Sequence, residues 1–277
     1  MVIAKTIRNH FINNAPWVDR KNNVDKIRFG NPDKLIKKIG TGWSACRNNL
    51  KEAAKDNCDL FISHEVPLSD PYGIRGEAKE KWYKERYDIL KETDMVLMNL
   101  HDTWDHWPEY GIRDSWSQFL KLGKLIKELD YIHPGRDKVT TGRSSIGIYE
   151  VSPPVAVREM AKKVAVTISS IGENGVSVMG NLNDEVNKVA VGVGCHIPGY
   201  NSVKNGADLL IMVYDRANQL NVRIPLVEKG ANIIVLEHST AEIPAMKNMK
   251  LYLEKAFPGI NACFYNREPE ITTFVSD

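Results

Sequence analysis

Three segments of this 277-residue chain end an apolar run on a histidine with a carboxylate close behind. "DLFISHEVP" runs Leu60–Ile62 into His64 and Glu65. "MVLMNLHDTWD" places His101 after a run ending at Leu100, with Asp105 four residues on; "NIIVLEHSTAE" places His238 after Leu236, with Glu242 four residues on. Imidazole nitrogen and carboxylate oxygen suit zinc, iron or manganese, and a carboxylate can bridge two ions. Six donors, His64, Glu65, His101, Asp105, His238 and Glu242, exceed what one tetrahedral zinc takes. The set therefore points to two divalent ions, Fe, Mn or Zn, roughly 3.5–4 Å apart. Each piece has a plainer alternative: a solvated strand end at His64-Glu65, a turn cap at Asp105, an S-x-x-E capping box over Ser239–Glu242. Three of the seven histidines at equivalent places favour metal over coincidence.

Such a set needs loops from separate strands to converge, and the elements that would position it alternate along the chain. Strand-like runs occur at Leu60–Ser63, Met95–Leu100, Ser145–Val151, Val189–Val193, Leu209–Val213, Ile233–Leu236 and Ala262–Tyr265. Helical periodicity falls near Ser44–Lys55, Ala78–Lys91, Arg113–Leu129, Val155–Lys163 and Ala241–Ala256. This alternation predicts an α/β fold with mostly parallel sheets, in which ligand sites lie beyond the carboxyl ends of strands. The polar stretch "YIHPGRDKVTTGRSS", Tyr131 to Ser145, is the expected boundary between two α/β lobes. Residues 1–130 would carry His64, Glu65, His101 and Asp105, and residues 131–277 would return His238 and Glu242 to a cleft between lobes. Turns around a short strand are expected within Ser169–Lys188.

Composition excludes other classes. A formal charge of +2, with no run of Lys or Arg longer than two residues, gives no electrostatic basis for nucleic-acid or membrane binding. Cys46, Cys58, Cys195 and Cys263 form no C-x-x-C pair and read as reduced cytoplasmic thiols. "MVIAKTIRNHFINN" lacks the pattern of a secretory leader, and no run is long enough to span a membrane. "VGVGCHIPG" carries Gly192, Gly194 and Gly199 but neither G-x-G-x-x-G spacing nor a P-loop lysine, so it reads as a structural turn. Adjacent Cys195 and His196 do not make a nucleophile–base pair. Arg75-Gly76, before the third expected helix, is a candidate anion contact near the His64 loop, and His10, His106 and His133 read as surface or structural.

At its three motifs the chain resembles the Nif-three-like family, dinuclear-metal-centre hexameric proteins also described as type-two-like GTP cyclohydrolases. "SHEVP" is similar to the family's strand-ending His-His motif, "LHDTWDHWPEYGIRDSWSQFLKLG" to its His-x-x-x-Asp loop and following helix, and "EHSTAE" to its Gly-His-x-x-x-Glu motif. "KVAVGVGCHIPGYNSVKNGADLLI" is similar to its glycine-containing strand and the Gly-Ala-Asp strand after it. The resemblance implies metal ligands at His64, Asp105, His238 and Glu242, with His101 close by or coordinating, and a homohexamer. The chain departs from the pattern at Glu65, where the family has a second histidine, and at Glu237, where it has glycine.

The expectation is a dinuclear metal protein that hydrolyses a small molecule, a nucleotide, cyclic amide or phosphoester, with Glu65 or Glu237 shuttling the proton. The alternative is a non-catalytic metal-binding or metal-responsive scaffold. An ionised Glu65 ligand would make the centre one unit less positive and would favour the harder iron or manganese over zinc.

Overall fold

The computed structural model describes residues 2–65, 77–130, 145–194, 196–215 and 219–266. The chain divides into two compact units, one of Met1–Tyr110 with Met246–Pro269, the other centred on Gly111–Ala245. The stretch 131–144, where the sequence suggests a lobe boundary, lies outside the described residues, as do Arg75, Gly76, His133 and Cys195.

The first unit contains β1 (Val2–Ile3), α1 (Ala4–Asn13), β2 (Lys26–Phe29), β3 (Leu35–Ile36), β4 (Lys38–Gly42), α2 (Arg47–Lys55), β5 (Leu60–Ser63), α3 (Glu77–Glu92), β6 (Val96–Asn99) and α4 (Asp102–Asp105). The second contains α5 (Ile112–Phe119), β7 (Leu125–Leu129), β8 (Ile146–Ala156), α6 (Val157–Ser169), β9 (Ser177–Met179), β10 (Glu185–Val191), α7 (Tyr200–Lys204), β11 (Leu209–Val213), α8 (Leu220–Glu228) and β12 (Asn232–Leu236). Helix α9 (His238–Ala256) begins in the second unit, and β13 (Asn261–Phe264) completes the first.

The five-stranded sheet of the first unit has the order β13-β4-β5-β6-β2, parallel throughout except for the antiparallel edge strand β2. Its strands β5 and β6 are buried along their whole length, as the apolar runs Leu60–Ile62 and Val96–Met98 suit in a sheet covered on both faces. Register places Gly42, Ser63 and Asn99 in one row. The chain after each strand therefore leaves from the same carboxyl edge. The six-stranded sheet of the second unit has the order β7-β8-β10-β11-β12-β9, with a parallel centre, β10 to β12, and antiparallel flanks. Here Val213 pairs with Leu236, so β11 and β12 also end level.

The expected helix over Arg113–Leu129 is a helix only as far as Phe119. Lys121 has φ +49°, and a Cβ on Gly123 would lie 2.0 Å from Glu150 O. The chain turns there and runs back as β7 against β8. "LIKEL" suits a helix locally, but ladder pairing with β8 overrides that propensity.

Behind the first sheet, Phe61 stacks with Tyr265 at 6.3 Å, and a Cβ on Gly40 would lie 2.9 Å from the Phe61 ring. Cys58 sits under this layer, 3.4 Å from Tyr265 Oη, whose hydroxyl donates to Asp56 Oδ2 at 2.6 Å. Burial pushes the Cys58 thiol up to about 11 from its ordinary 9.0. Between those two values the unfolded chain loses this proton and the folded chain keeps it, so stability falls as pH rises. The expected contribution is on the order of 2 kcal/mol. Urea unfolding at pH 8 and pH 10.5 should show a smaller alkaline loss for Cys58→Ala than for the wild type; equal losses would refute this.

Candidate metal centre

Strand β5 delivers His64 fully buried. The backbone N–H groups of His64 and Glu65 both donate to Trp43 O, at 3.1 and 2.9 Å, tying this turn to the chain leaving β4. His64 Nδ1 lies 3.2 Å from Leu100 O. A carbonyl only accepts, so Nδ1 carries the proton, and in the neutral ring Nε2 presents the lone pair. That nitrogen is 3.5 Å from Asp105 Oδ1.

His101 follows β6 and starts α4. Its Nδ1 donates to Asp102 Oδ1 at 3.0 Å and lies 3.6 Å from Asp105 Oδ2, while Nε2 is 3.8 Å from Glu65 Oε1. Asp105 thus stands between the two imidazoles, one oxygen toward His64 and the other toward His101, and Glu65 faces the far nitrogen of His101. The ligand atoms of His64, His101 and Asp105 lie within 4.8 Å of one another, a group that could hold a metal ion. The two rings stack at 4.5 Å with planes 8° apart. A nitrogen lone pair lies in its ring plane, and stacked parallel planes share no point. One ion can therefore take both rings only if one of them rotates.

Three side chains that the sequence reading did not single out frame this set. Asn99 Nδ2 donates to Ser63 O at 3.1 Å and to His64 O. Asp25, fully buried, accepts the N–H of His101 and, at 2.8 Å, that of Thr103. Burial raises the Asp25 carboxyl above its usual range despite those bonds. Burial would also raise Asp102, but the His101 hydrogen bond and charge, with the Val24 N–H, outweigh it and hold Asp102 low.

In the second unit, His238 opens α9, and its Nε2 donates to Glu242 Oε1 at 2.9 Å. Glu242 is fully buried and this bond spans one helical turn. The capping-box geometry is not realised, because Ser239 lies inside the helix. Glu173, nearly buried, accepts the Glu237 N–H at the helix start, at 3.1 and 3.3 Å, and the Thr240 hydroxyl. Burial is the main influence on its carboxyl, which is raised. Asp215 Oδ2 stands 3.5 Å from His238 Nδ1. Level registry explains this meeting, since each residue lies two positions beyond the paired Val213 and Leu236.

The glycine-bearing turn before α7 has its own place here. Val193 and His196 form an isolated bridge, and Gly194 has φ +42°. A Cβ on Gly194 would meet Glu242 Oε1 at 2.9 Å and His238 Nε2 at 3.1 Å. The backbone closes on the pair where no side chain fits. Imidazole nitrogens and carboxylate oxygens are the donor types that fit divalent metals of borderline or hard character. Gly194→Ala should displace that pair and weaken Co2+ binding about tenfold or more, while Gly199→Ala, with nothing within 4 Å, should leave it unchanged. Equal titrations for both variants would show that the close approach is incidental.

Among the described residues, no helix is long and apolar enough to cross a membrane. No curated protein matches the chain. Solved structures share its fold across nearly its whole length. Staphylococcus aureus protein SA1388 has TM-score 0.77 at 13% identity, covering 99% of both chains. Protein ybgI, described as of unknown function, has TM-score 0.71 at 18% identity, covering 98% of this chain and 99% of that one. Reduced HcgD from Methanocaldococcus jannaschii has TM-score 0.64 at 20% identity, covering 95% and 97%. Residues 17–270 match the model of Duf34/NIF3 (NGG1p interacting factor 3), and the chain belongs to that family.

Proposed function

We propose that the protein binds two divalent ions through His64, Glu65, His101, Asp105, His238 and Glu242, and that it is a metal-dependent hydrolase of a small molecule. The observation that carries this reading is the gathering of His64, Glu65, His101 and Asp105 at one sheet edge, with His64–Asp105 at 3.5 Å, His101–Asp105 at 3.6 Å and His101–Glu65 at 3.8 Å. Two imidazoles on either side of one carboxylate, with Glu65 as a second, suit two ions better than one, since the stacked rings aim along separate planes and a carboxylate can bridge. Bound ions of this kind supply Lewis acidity, which suits opening a cyclic amide or cleaving a phosphoester or nucleotide.

The residues themselves divide the work. His64 and Asp105, at 0% and 11% side-chain exposure, hold position away from water. His101 and Glu65, at 28% and 32%, stand open on one side, as a site that admits substrate must. Glu65 there can accept or return a proton, or ligate in place of the family's histidine; Glu237 is the second acid in reach of His238 along the chain. Iron or manganese is the preferred metal because carboxylates outnumber what a zinc site usually takes. We assign the assembly as a homohexamer, in keeping with the family resemblance.

Elemental analysis of the purified protein should give about two divalent ions per chain, with occupancy reduced in Glu65→Ala and His238→Ala. The metal-loaded protein should hydrolyse at least one member of a nucleotide, cyclic-amide and phosphoester panel, and His238→Ala should not. Unchanged occupancy in both variants would refute the ligand assignment, and activity surviving His238→Ala would refute the hydrolase. A light-scattering mass other than six chains would refute the hexamer.

A further inference from the structure

The ligands of the first unit sit on two different strand ends, and something must hold those ends in one geometry. Strand pairing stops at the row of Ser63 and Asn99. Beyond it, the Leu100 N–H still donates to Ser63 O at 3.0 Å, and side chains supply further ties between the chain carrying His64 and the chain carrying His101. Asn99 Nδ2 reaches across to the Ser63 and His64 carbonyls. Its amide is oriented, because Arg28 Nη2 donates to Asn99 Oδ1 at 3.2 Å and so commits the other end as donor. Asp25, 76 positions from His101, accepts the N–H of His101 with one oxygen and that of Thr103 with the other. These are donors that the first turn of α4 cannot satisfy internally, and His101 offers no side-chain cap of its own. Arg28 also donates to Val24 O at 2.8 Å, which fixes the segment that carries Asp25.

We propose that Asp25 and Asn99 are positioning residues for the metal centre, presetting His101 and His64 relative to each other before any ion binds. This rests on the metal-binding reading of the same residues. Catalytic and metal sites work when ligands are held within about 0.5 Å of the productive geometry, and partners behind the ligands supply that hold. A carboxylate at position 25 can accept from two N–H groups at once. An amide there would turn its own N–H toward one of them and release that end of the turn. Neither residue carries a signal in the sequence, since Asp25 lies in a polar segment and Asn99 closes an apolar strand.

Co2+ titration followed by its visible d–d absorption tests this, with far-UV circular dichroism and Tm measured on the same samples. Asp25→Asn and Asn99→Ala should each fold, bind Co2+ about 10–100-fold more weakly, and show shifted or broadened bands. Asp59→Asn is the structural control: Asp59 Oδ2 likewise accepts two backbone N–H groups, from Lys37 and Lys38, at the amino end of β5. It should lose stability while keeping the wild-type affinity and spectrum. Wild-type affinity and spectrum in both Asp25→Asn and Asn99→Ala would overturn the proposal while leaving the metal reading intact. An Asp59→Asn protein that loses Co2+ as badly as they do would overturn it too, by showing a general stability effect. A wild type that takes up no Co2+ would overturn the metal reading, and this inference with it. If only one of the two variants folds, the same comparison is read from that one.

Discussion

A carbonyl oxygen can accept a hydrogen bond and cannot give one, and Leu100 O lies 3.2 Å from the buried ring of His64. That contact fixes the tautomer of an imidazole fully removed from solvent, leaving Nε2 to face the Asp105 carboxylate. His101 is set the same way by Asp102, through Nδ1. A buried polar ring needs partners on both sides, and these partners put the lone-pair nitrogens where carboxylates wait.

The sheet makes this possible. Level ends of β4, β5 and β6 bring Trp43, His64 and Leu100 to one edge, where backbone bonds from His64 and Glu65 to Trp43 O, and from Leu100 to Ser63 O, close the row. The second unit repeats the principle with different parts. Its level strands β11 and β12 bring Asp215 to His238, and the first turn of α9 brings Glu242 to the same ring. In each unit a buried carboxylate from a distant segment, Asp25 or Glu173, holds the start of the histidine-bearing turn. Parallel sheets favour ligand sites beyond their carboxyl ends because such loops share a rigid base.

Much of this was legible in the sequence. The strands at Leu60–Ser63, Leu209–Val213 and Ile233–Leu236 follow from short apolar runs, and the histidines closing two of them stand out as polar residues at buried ends. What escaped has physical reasons. The approach of Asp105 to His64 depends on inter-strand register, which periodicity does not encode. Asp25, Asn99, Asp215 and Glu173 act across long stretches of chain, and nothing in their neighbours marks them. Gly194 was visible as a turn glycine, but its closeness to Glu242 and His238 comes from tertiary packing. Strand β7 escaped because "LIKEL" is locally helical and becomes a strand only beside β8.

X-ray absorption at the metal K-edge of the loaded protein tests the central claim most directly. The account predicts imidazole scattering from ordered histidine ligands, light O/N neighbours at about 2.0–2.2 Å and a metal–metal vector of roughly 3.5–4 Å. A first shell of oxygen alone, with neither imidazole scattering nor a second metal, would contradict it.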